Sequence, residues 1–379
     1  MTLRVGVIGG GQLARMMIVP ALELGLEIKV LAEAEGSSAA LAATQVGDYT
    51  KLETVAEFAK TVDVITFDHE HVPLAILESL EAAGVSVQPP SRALAFAQNK
   101  LHMRRRLHEL GLPMPVWAEI QTEDDLQEFL NANGGVCVLK TPIGGYDGKG
   151  VRIVRSVADA QDWLEPQALA RVGGTLLAEE KVGFIREVAQ LSARTPSGEF
   201  KTWPLVQTTQ ANGVCAEVIS PAPGANDETI AHAAEIARAV AEGVGVTGVL
   251  AVEMFETPNG RLLINELAMR PHNSGHFSIE GSVTSQFEQH IRAVLDLPLG
   301  STEARAKWSV MVNLLGVNDR NDFVSGFASV LAAHPEAKVH TYGKGARAGR
   351  KMGHVTVVSD SLDFATAEAN ATAQALLQG

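Results

Sequence analysis

The stretch from Val249 to His276 constrains the fold most, because it places two glutamates on what reads as one β-hairpin. Val249-Leu-Ala-Val-Glu-Met-Phe-Glu256 alternates and is rich in apolar and β-branched residues. Thr257-Pro-Asn-Gly260 is a turn signal, and Leu262-Leu-Ile-Asn-Glu266 reads as the return strand. An even loop puts Glu253 and Glu266 on one face, directly opposed across four loop residues or diagonal across two. An odd loop or a bulge splits them. Carboxylates roughly 5 Å apart repel by about 3 kcal/mol at an effective dielectric of ~20, so a shared face implies a cation between them. Oxygen ligands, with Asn265 alongside, suit Mg²⁺ or Mn²⁺ shared with substrate phosphates.

The 379 residues suffice for two to three domains with ample core. A formal net charge of −13 excludes general binding to nucleic acid or a membrane surface, so an anionic ligand must be held by a local concentration of basic groups. Cys137 and Cys215 sit in apolar contexts and read as reduced core residues. The chain opens on a strand with no basic-then-apolar leader, and no apolar run is long enough to span a bilayer. The expectation is a cytoplasmic protein.

Leu3 to Ile8 reads as a buried strand turned into a helix by Gly9-Gly-Gly-Gln-Leu-Ala-Arg15. Gly9, Gly11 and Ala14, with Glu33 ending the next strand, match the spacing of a dinucleotide fingerprint and support an NAD-linked oxidoreductase as a rival reading. In Phe67-Asp-His-Glu-His-Val72 the polar residues follow a strand, and one of Asp68, His69, Glu70 and His71 is expected to face a cleft. Ser91 to Gly111 reads as one helix with Ser91 as N-cap. Its run Lys100 and Arg104-Arg-Arg106 is a solvated face from which Lys100 reaches a nucleotide.

A smaller unit starts near Val116. Its strand Val136 to Lys140 leads into Gly144-Gly-Tyr-Asp-Gly-Lys-Gly150 and a second strand from Val151. Four glycines in seven residues let the backbone fold over phosphates as a lid, but Gly150 after Lys149 rules out a Walker A loop. Leu176 to Val182 is an extended segment suited to an adenine base, Glu187 begins another strand, and Asp227 to Val244 is an amphipathic helix. Arg270, His272, Asn273, Ser274 and His276 follow the hairpin as a dense set of donors. The strand-rich end, Trp308 to Leu376, carries Lys344, Arg347, Arg350 and Lys351 among glycines, a seat for a substrate phosphate.

In this order the motifs resemble the N5-carboxyaminoimidazole ribonucleotide synthase family of ATP-grasp enzymes. They are Gly-Gly-Gly-Gln-Leu at 9–13, Lys140, the glycine loop at 144–150, Glu-Glu-Lys-Val at 179–182, Glu253, Asn265-Glu266-Leu, Arg-Pro-His-Asn-Ser-Gly-His at 270–276 and Gly-Arg-Lys-Met-Gly-His at 349–354. The resemblance implies a mixed α/β and α+β ATP-grasp fold: a doubly wound pre-ATP-grasp domain at 1–97, a central domain at 98–115 and 183–300, a lid at 116–182, and a strand-rich segment at 301–379.

It also implies a homodimeric carbon–nitrogen ligase of purine biosynthesis. ATP would be held by Lys100, Lys140, Gly144, Gly145, Tyr146, Asp147, Gly148, Lys149, Gly150, Glu179, Glu180, Lys181, Val182, Glu187, Gln210, Asn265 and Glu266. Mg²⁺, or Mn²⁺, would be held by Glu253 and Glu266. Aminoimidazole ribonucleotide would be held by Glu70, Tyr146, Asp147, Lys149, Lys344, Arg350 and Lys351. Arg270, His272, Asn273 and His276, with Tyr146 and Asp147, would serve catalysis around bicarbonate. Pro142, Val151, Met269 and Gln210 depart from the residues common in the family, and another ATP-grasp ligase is the alternative within the fold.

Overall fold

The computed structural model describes residues 2–145, 150–211, 213–317 and 323–378. Among them the strands form three sheets. The first is parallel, in the order β3-β2-β1-β4, and comprises β1 (Arg4–Ile8), β2 (Glu27–Ala32), β3 (Ala43–Val46) and β4 (Val64–Phe67). Val5, Val7 and Ile8 on β1 are wholly buried, as suits a strand covered on both faces.

The second sheet is antiparallel, in the order β5-β8-β6-β7. It contains β5 (Trp117–Ile120), β6 (Cys137–Lys140), β7 (Val151–Val154) and β8 (Leu176–Glu180). The helix Glu123–Ala132 starts at a capping box, in which Thr122 and Asp125 each accept the other's backbone N–H. Leu126, Phe129 and Leu130 on that helix close the core over Cys137 and Leu139. The glycine loop joins β6 to β7. Tyr146, Asp147, Gly148 and Lys149 lie outside the described residues.

The third sheet has nine strands: β9 (Arg186–Arg194), β10 (Phe200–Thr202), β11 (Val206–Ala211), β12 (Val214–Ser220), β13 (Gly248–Glu256), β14 (Leu262–Ala268), β15 (Trp308–Leu315), β16 (Lys338–Thr341) and β17 (Lys351–Ser359). The order β14-β13-β9-β11-β12-β15-β17-β16 carries the C-terminal strands as a continuation of the central sheet, through the pairing of β12 with β15. The C-terminal stretch is not only strands. It also holds the helices Phe323–Ala333 and Leu362–Gln378. The second buries Ala365, Ala369, Ala373 and Leu376, a stripe so rich in alanine that its helical period is faint in the sequence.

Two local expectations are corrected. The segment from Ser91 to Gly111 is two helices, Ser91–Gln98 and Lys100–Glu109. Asn99 between them is extended, and its side chain accepts from the N–H groups of Leu101 and His102, so it starts a new helix. Ser91 is not the cap; its N–H and hydroxyl both donate to Glu81. The hairpin loop, Thr257 to Arg261, is odd rather than even, since Glu256 pairs with Leu262. A bulge then follows: Met254 pairs with Ile264, yet Glu253 pairs with Glu266, so Asn265 is the extra residue. Each irregularity alone would split the glutamates. Together they cancel, and the two face each other.

Candidate active site

A cleft of about 1680 Å³ gathers residues from the second and third sheets and from the segments that follow β1 and β4 of the first. Of the described residues assigned from the sequence to ATP, metal, ribotide or catalysis, all line it except Gly150; Ser274, named among the donors after the hairpin, does not. All four of Asp68, His69, Glu70 and His71 reach it, where one was expected. The break at Asn99 aims Lys100 inward: its N–H donates to the Pro142 carbonyl at 2.9 Å, and its ammonium lies 2.5 Å from Glu266.

Arg104 corrects the reading of its basic run as a solvated face. It is fully buried, with Nε donating to Glu179 at 2.6 Å, Nη1 to the Ile264 carbonyl at 3.0 Å and Nη2 to the Asn265 carbonyl at 2.8 Å. The guanidinium thus grips the bulge that brings Glu266 opposite Glu253. Lys140 joins the same knot, 2.7 Å from Glu179 and donating to the Asn265 side chain at 3.2 Å. Burial pushes Glu179 up, but Arg104 and Lys140 outweigh it and hold the carboxyl at about 2. Glu180 instead accepts the Val116 N–H at 3.0 Å. Arg105 does face outward, toward Glu119, whereas Arg106 is half-buried, donating to the Gly243 carbonyl as well as pairing with Glu109.

The opposed glutamates ionise differently. Burial, Glu266 and Glu187 push Glu253 up to about 8. Glu266 is also pushed up by burial, but Lys100 and Lys140 bring it below the usual carboxylate range. His272 Nε2 is 3.1 Å from Glu253, and burial holds that imidazole well below its usual value, so it is neutral.

The loop after β14 is tightly placed. Arg270 donates to Glu70 at 2.8 Å. Gln286, which nothing in the sequence reading singled out, accepts the His272 N–H with Oε1 and donates from Nε2 to the His272 carbonyl and to His276 Nδ1. Those contacts put the His276 proton on Nε2. His276 is fully buried at the floor of the cleft. A Cβ at Gly275 would lie 2.2 Å from Leu191 and 2.4 Å from Gln286, which explains glycine there. Opposite, Lys344, Arg347, Arg350 and Lys351 form a basic wall, and Lys344 donates to Gln12. The apolar lining from Val138, Val151, Ile153, Phe184 and Phe255 was also missed; Phe184 and Phe255 stack at 4.7 Å.

Three family models match this chain in order. A ribonucleotide synthetase preATP-grasp domain matches residues 1–98, an ATP-grasp domain residues 105–287, and a phosphoribosylaminoimidazole carboxylase C-terminal domain residues 309–368. The N5-carboxyaminoimidazole ribonucleotide synthase of Corynebacterium ammoniagenes is 46% identical across 98% of this chain and 92% of its own length. The chain belongs to the N5-carboxyaminoimidazole ribonucleotide synthase family. Its fold is ATP-grasp, with the preATP-grasp domain before it and the family's C-terminal domain after it. Two structures of the Aspergillus clavatus enzyme each cover 100% of this chain and 99% of their own, with a TM-score of 0.89. One, 34% identical, is complexed with ATP; the other, 33% identical, is in complex with ADP and 5-aminoimidazole ribonucleotide.

Membership of this family agrees with what fills the glycine turn at the N-terminus. Gly10 N–H donates to Glu33 at 3.0 Å and Ala14 N–H to Asp68 at 2.8 Å. A bond from His69 leads in holding Glu33 down at about 2, so it is an anion at neutral pH. A Cβ at Gly11 would sit 2.0 Å from Asp68 Oδ2. The helix N-terminus that would receive a dinucleotide pyrophosphate is therefore occupied by the protein's own carboxylates, and the NAD reading fails.

Proposed function

We propose that this chain carboxylates 5-aminoimidazole ribonucleotide with ATP and bicarbonate, giving N5-carboxyaminoimidazole ribonucleotide, ADP and phosphate in purine biosynthesis. The observation that carries the reading is one cleft holding four elements together. These are the lid lysine Lys140, the opposed Glu253 and Glu266, the Arg270–Glu70 pair beside neutral His272, and the basic wall at Lys344 to Lys351.

The chemistry needs positioning and charge neutralisation more than covalent catalysis. A bicarbonate oxygen attacks the γ-phosphorus of ATP, the bond to the bridging oxygen breaks, and ADP leaves. The resulting carboxyphosphate splits into CO₂ and phosphate. The ribotide amine adds to the CO₂ carbon and loses a proton, forming the carbamate. Lys100 and Lys140, near the carboxylate pair, are placed to meet triphosphate charge, with the glycine loop as the lid above. The apolar lining suits the adenine ring, and Arg270 with His272 faces bicarbonate. Lys344, Arg350 and Lys351, with Glu70, receive the ribotide. Tyr146, Asp147 and Lys149 belong to this reading from sequence alone.

The donor set fits a hard divalent ion. Two opposed carboxylates supply oxygen only, and Glu253 sits above the usual range partly because Glu266 is so near. Mg²⁺ takes one or two protein carboxylates and is usually completed by substrate phosphates and water. Bound there, Mg²⁺ or Mn²⁺ would neutralise charge on the transferring phosphoryl group. The reading makes the protein a cytoplasmic homodimer. No described helix is long and apolar enough to cross a membrane.

The direct test is ADP release measured with and without bicarbonate and with and without the ribotide. Dependence on both, with a carboxylated product, is the expected result; formate- or amino-acid-dependent release instead would assign another ATP-grasp ligase. Lys344→Ala is expected to raise KM for the ribotide at least about tenfold while KM for ATP stays within twofold, as loss of a phosphate contact predicts. The opposite split would reassign the basic wall to ATP.

A further inference from the structure

The C-terminal strands present a row of polar residues to the loop that follows the glutamate hairpin. Register pairs Asn313 on β15 with His354 on β17, and His354 with His340 on β16, so the three side chains project from one face of the sheet. Residues 273 to 281, a 3₁₀ turn leading into a short helix, lie across that row. Asn273 and Asn313 exchange amide hydrogen bonds at 2.6 and 3.2 Å. The His276 ring is 5.0 Å from that of His354. His340 Nε2 is 2.7 Å from Glu280 Oε1.

The match is one of spacing. Positions 273, 276 and 280 follow at three and four residues, which a helix stacks on one side at about 5.4 Å per turn. Adjacent strands are about 4.8 Å apart, so successive turns meet successive strands. The row is itself tightly held. The rings of His340 and His354 stack at 4.5 Å, Tyr342 bonds His354 Nδ1 at 2.8 Å, and Asn313 donates to the Cys215 carbonyl at 2.8 Å.

Such a row is a poor choice for stability alone. His276 Nε2, His354 Nε2 and Glu280 Oε2 are buried without a hydrogen-bond partner among the described residues, a cost an apolar contact would avoid. What the polar pairs supply is register. From His276 the contact passes to Gln286 and thence to the backbone of His272, within two residues of Arg270.

We propose that Asn313, His354 and His340 are positioning residues: the C-terminal strands act as a template that sets the pitch of 273–280 and so fixes Arg270, His272 and Asn273 around bicarbonate. This rests on the functional reading above.

The test uses the full chain and targets the outermost rung, where His340 is only partly buried. His340→Ala, Glu280→Ala and the double variant are compared with wild type for KM of each substrate, and for carboxylated product per ADP. The expected result is a rise of about tenfold in KM for bicarbonate, and a fall in product per ADP, with KM for ATP and the ribotide within twofold. The double variant should be no worse than either single one, and His340→Gln, whose amide can still donate to Glu280, should recover most of the loss. Unchanged bicarbonate KM and coupling in a folded variant would overturn the proposal, as would proportional changes in all three KM values that follow the melting temperature. A wild type without bicarbonate-dependent ADP release would defeat the functional reading itself, whereas an active wild type with indifferent variants would defeat only this inference.

Discussion

Glu266→Gln is expected to lower turnover by two to three orders of magnitude, on the order of what removing one charge-stabilising group from a transition state costs, while leaving the fold intact. The substitution keeps shape and removes charge at the one position that faces Glu253 and also receives Lys100 at 2.5 Å. Without it, a divalent ion would keep a single protein carboxylate, Glu253, which burial and Glu187 still push up when the charge of Glu266 is gone. The fold should tolerate the change because the Glu266 side chain is 44% exposed to the cleft, so water can solvate the amide, whose oxygen can still accept from Lys100. The measurement is kcat together with the Mg²⁺ concentration for half-maximal rate, alongside a melting curve. A loss of rate that higher Mg²⁺ partly restores fits the assignment. Near-normal turnover with unchanged Mg²⁺ dependence would remove Glu266 from the metal site.

That convergence was legible in the sequence for an incomplete reason. Alternation and the Pro-Asn-Gly turn place both glutamates on a hairpin, but parity arithmetic from an even loop reaches the right face by the wrong route. The loop is odd, and the bulge at Asn265 compensates. No local signal marks that bulge, because what holds it is Arg104, 160 residues away in sequence from Ile264. The same distance hid Arg104 itself: within its own segment it is the first of three arginines, and only the lid strand and the hairpin supply its partners. The helix break at Asn99 was within reach, since an asparagine before Lys-Leu-His is a sound N-cap. Its consequence, the aiming of Lys100 at Glu266, was not, because it depends on where the hairpin sits. At the N-terminus the glycine spacing signals a tight turn correctly and says nothing about which anion fills it. Asp68 and Glu33 do so, and only their placement at the ends of β4 and β2, on either side of β1, reveals it.

Glu179→Gln is expected to destabilise the chain by about 3–5 kcal/mol, the usual cost of leaving buried cations without their counter-charge. Glu179 is 2% exposed and meets Arg104 at 2.6 Å and Lys140 at 2.7 Å, both of which are themselves buried. An amide can accept one of their hydrogen bonds but offers no charge against two. The same pair shapes the pH dependence. The carboxyl is held at about 2 against an ordinary 4.5, so it stabilises the folded state at every pH above 4.5 and loses that contribution as pH falls toward 2, on the order of 3 kcal/mol in all. Glu179→Gln should therefore flatten acid unfolding across that interval as well as lower stability at neutral pH. Glu119→Gln is the control, since Glu119 pairs with Arg105 at a similar 2.6 Å but on the surface, where such a pair contributes roughly 0.2–1 kcal/mol. Denaturant unfolding at pH 7 and at pH 3 measures both variants. Equal losses in the two would show that burial, not proximity, had been misjudged. A large loss confined to Glu179 would tie β8, the helix Lys100–Glu109 and the bulge at Asn265 into one electrostatic unit, in which the buried Glu179 links the second sheet to the hairpin that carries Glu253 and Glu266 through Arg104 and Lys140.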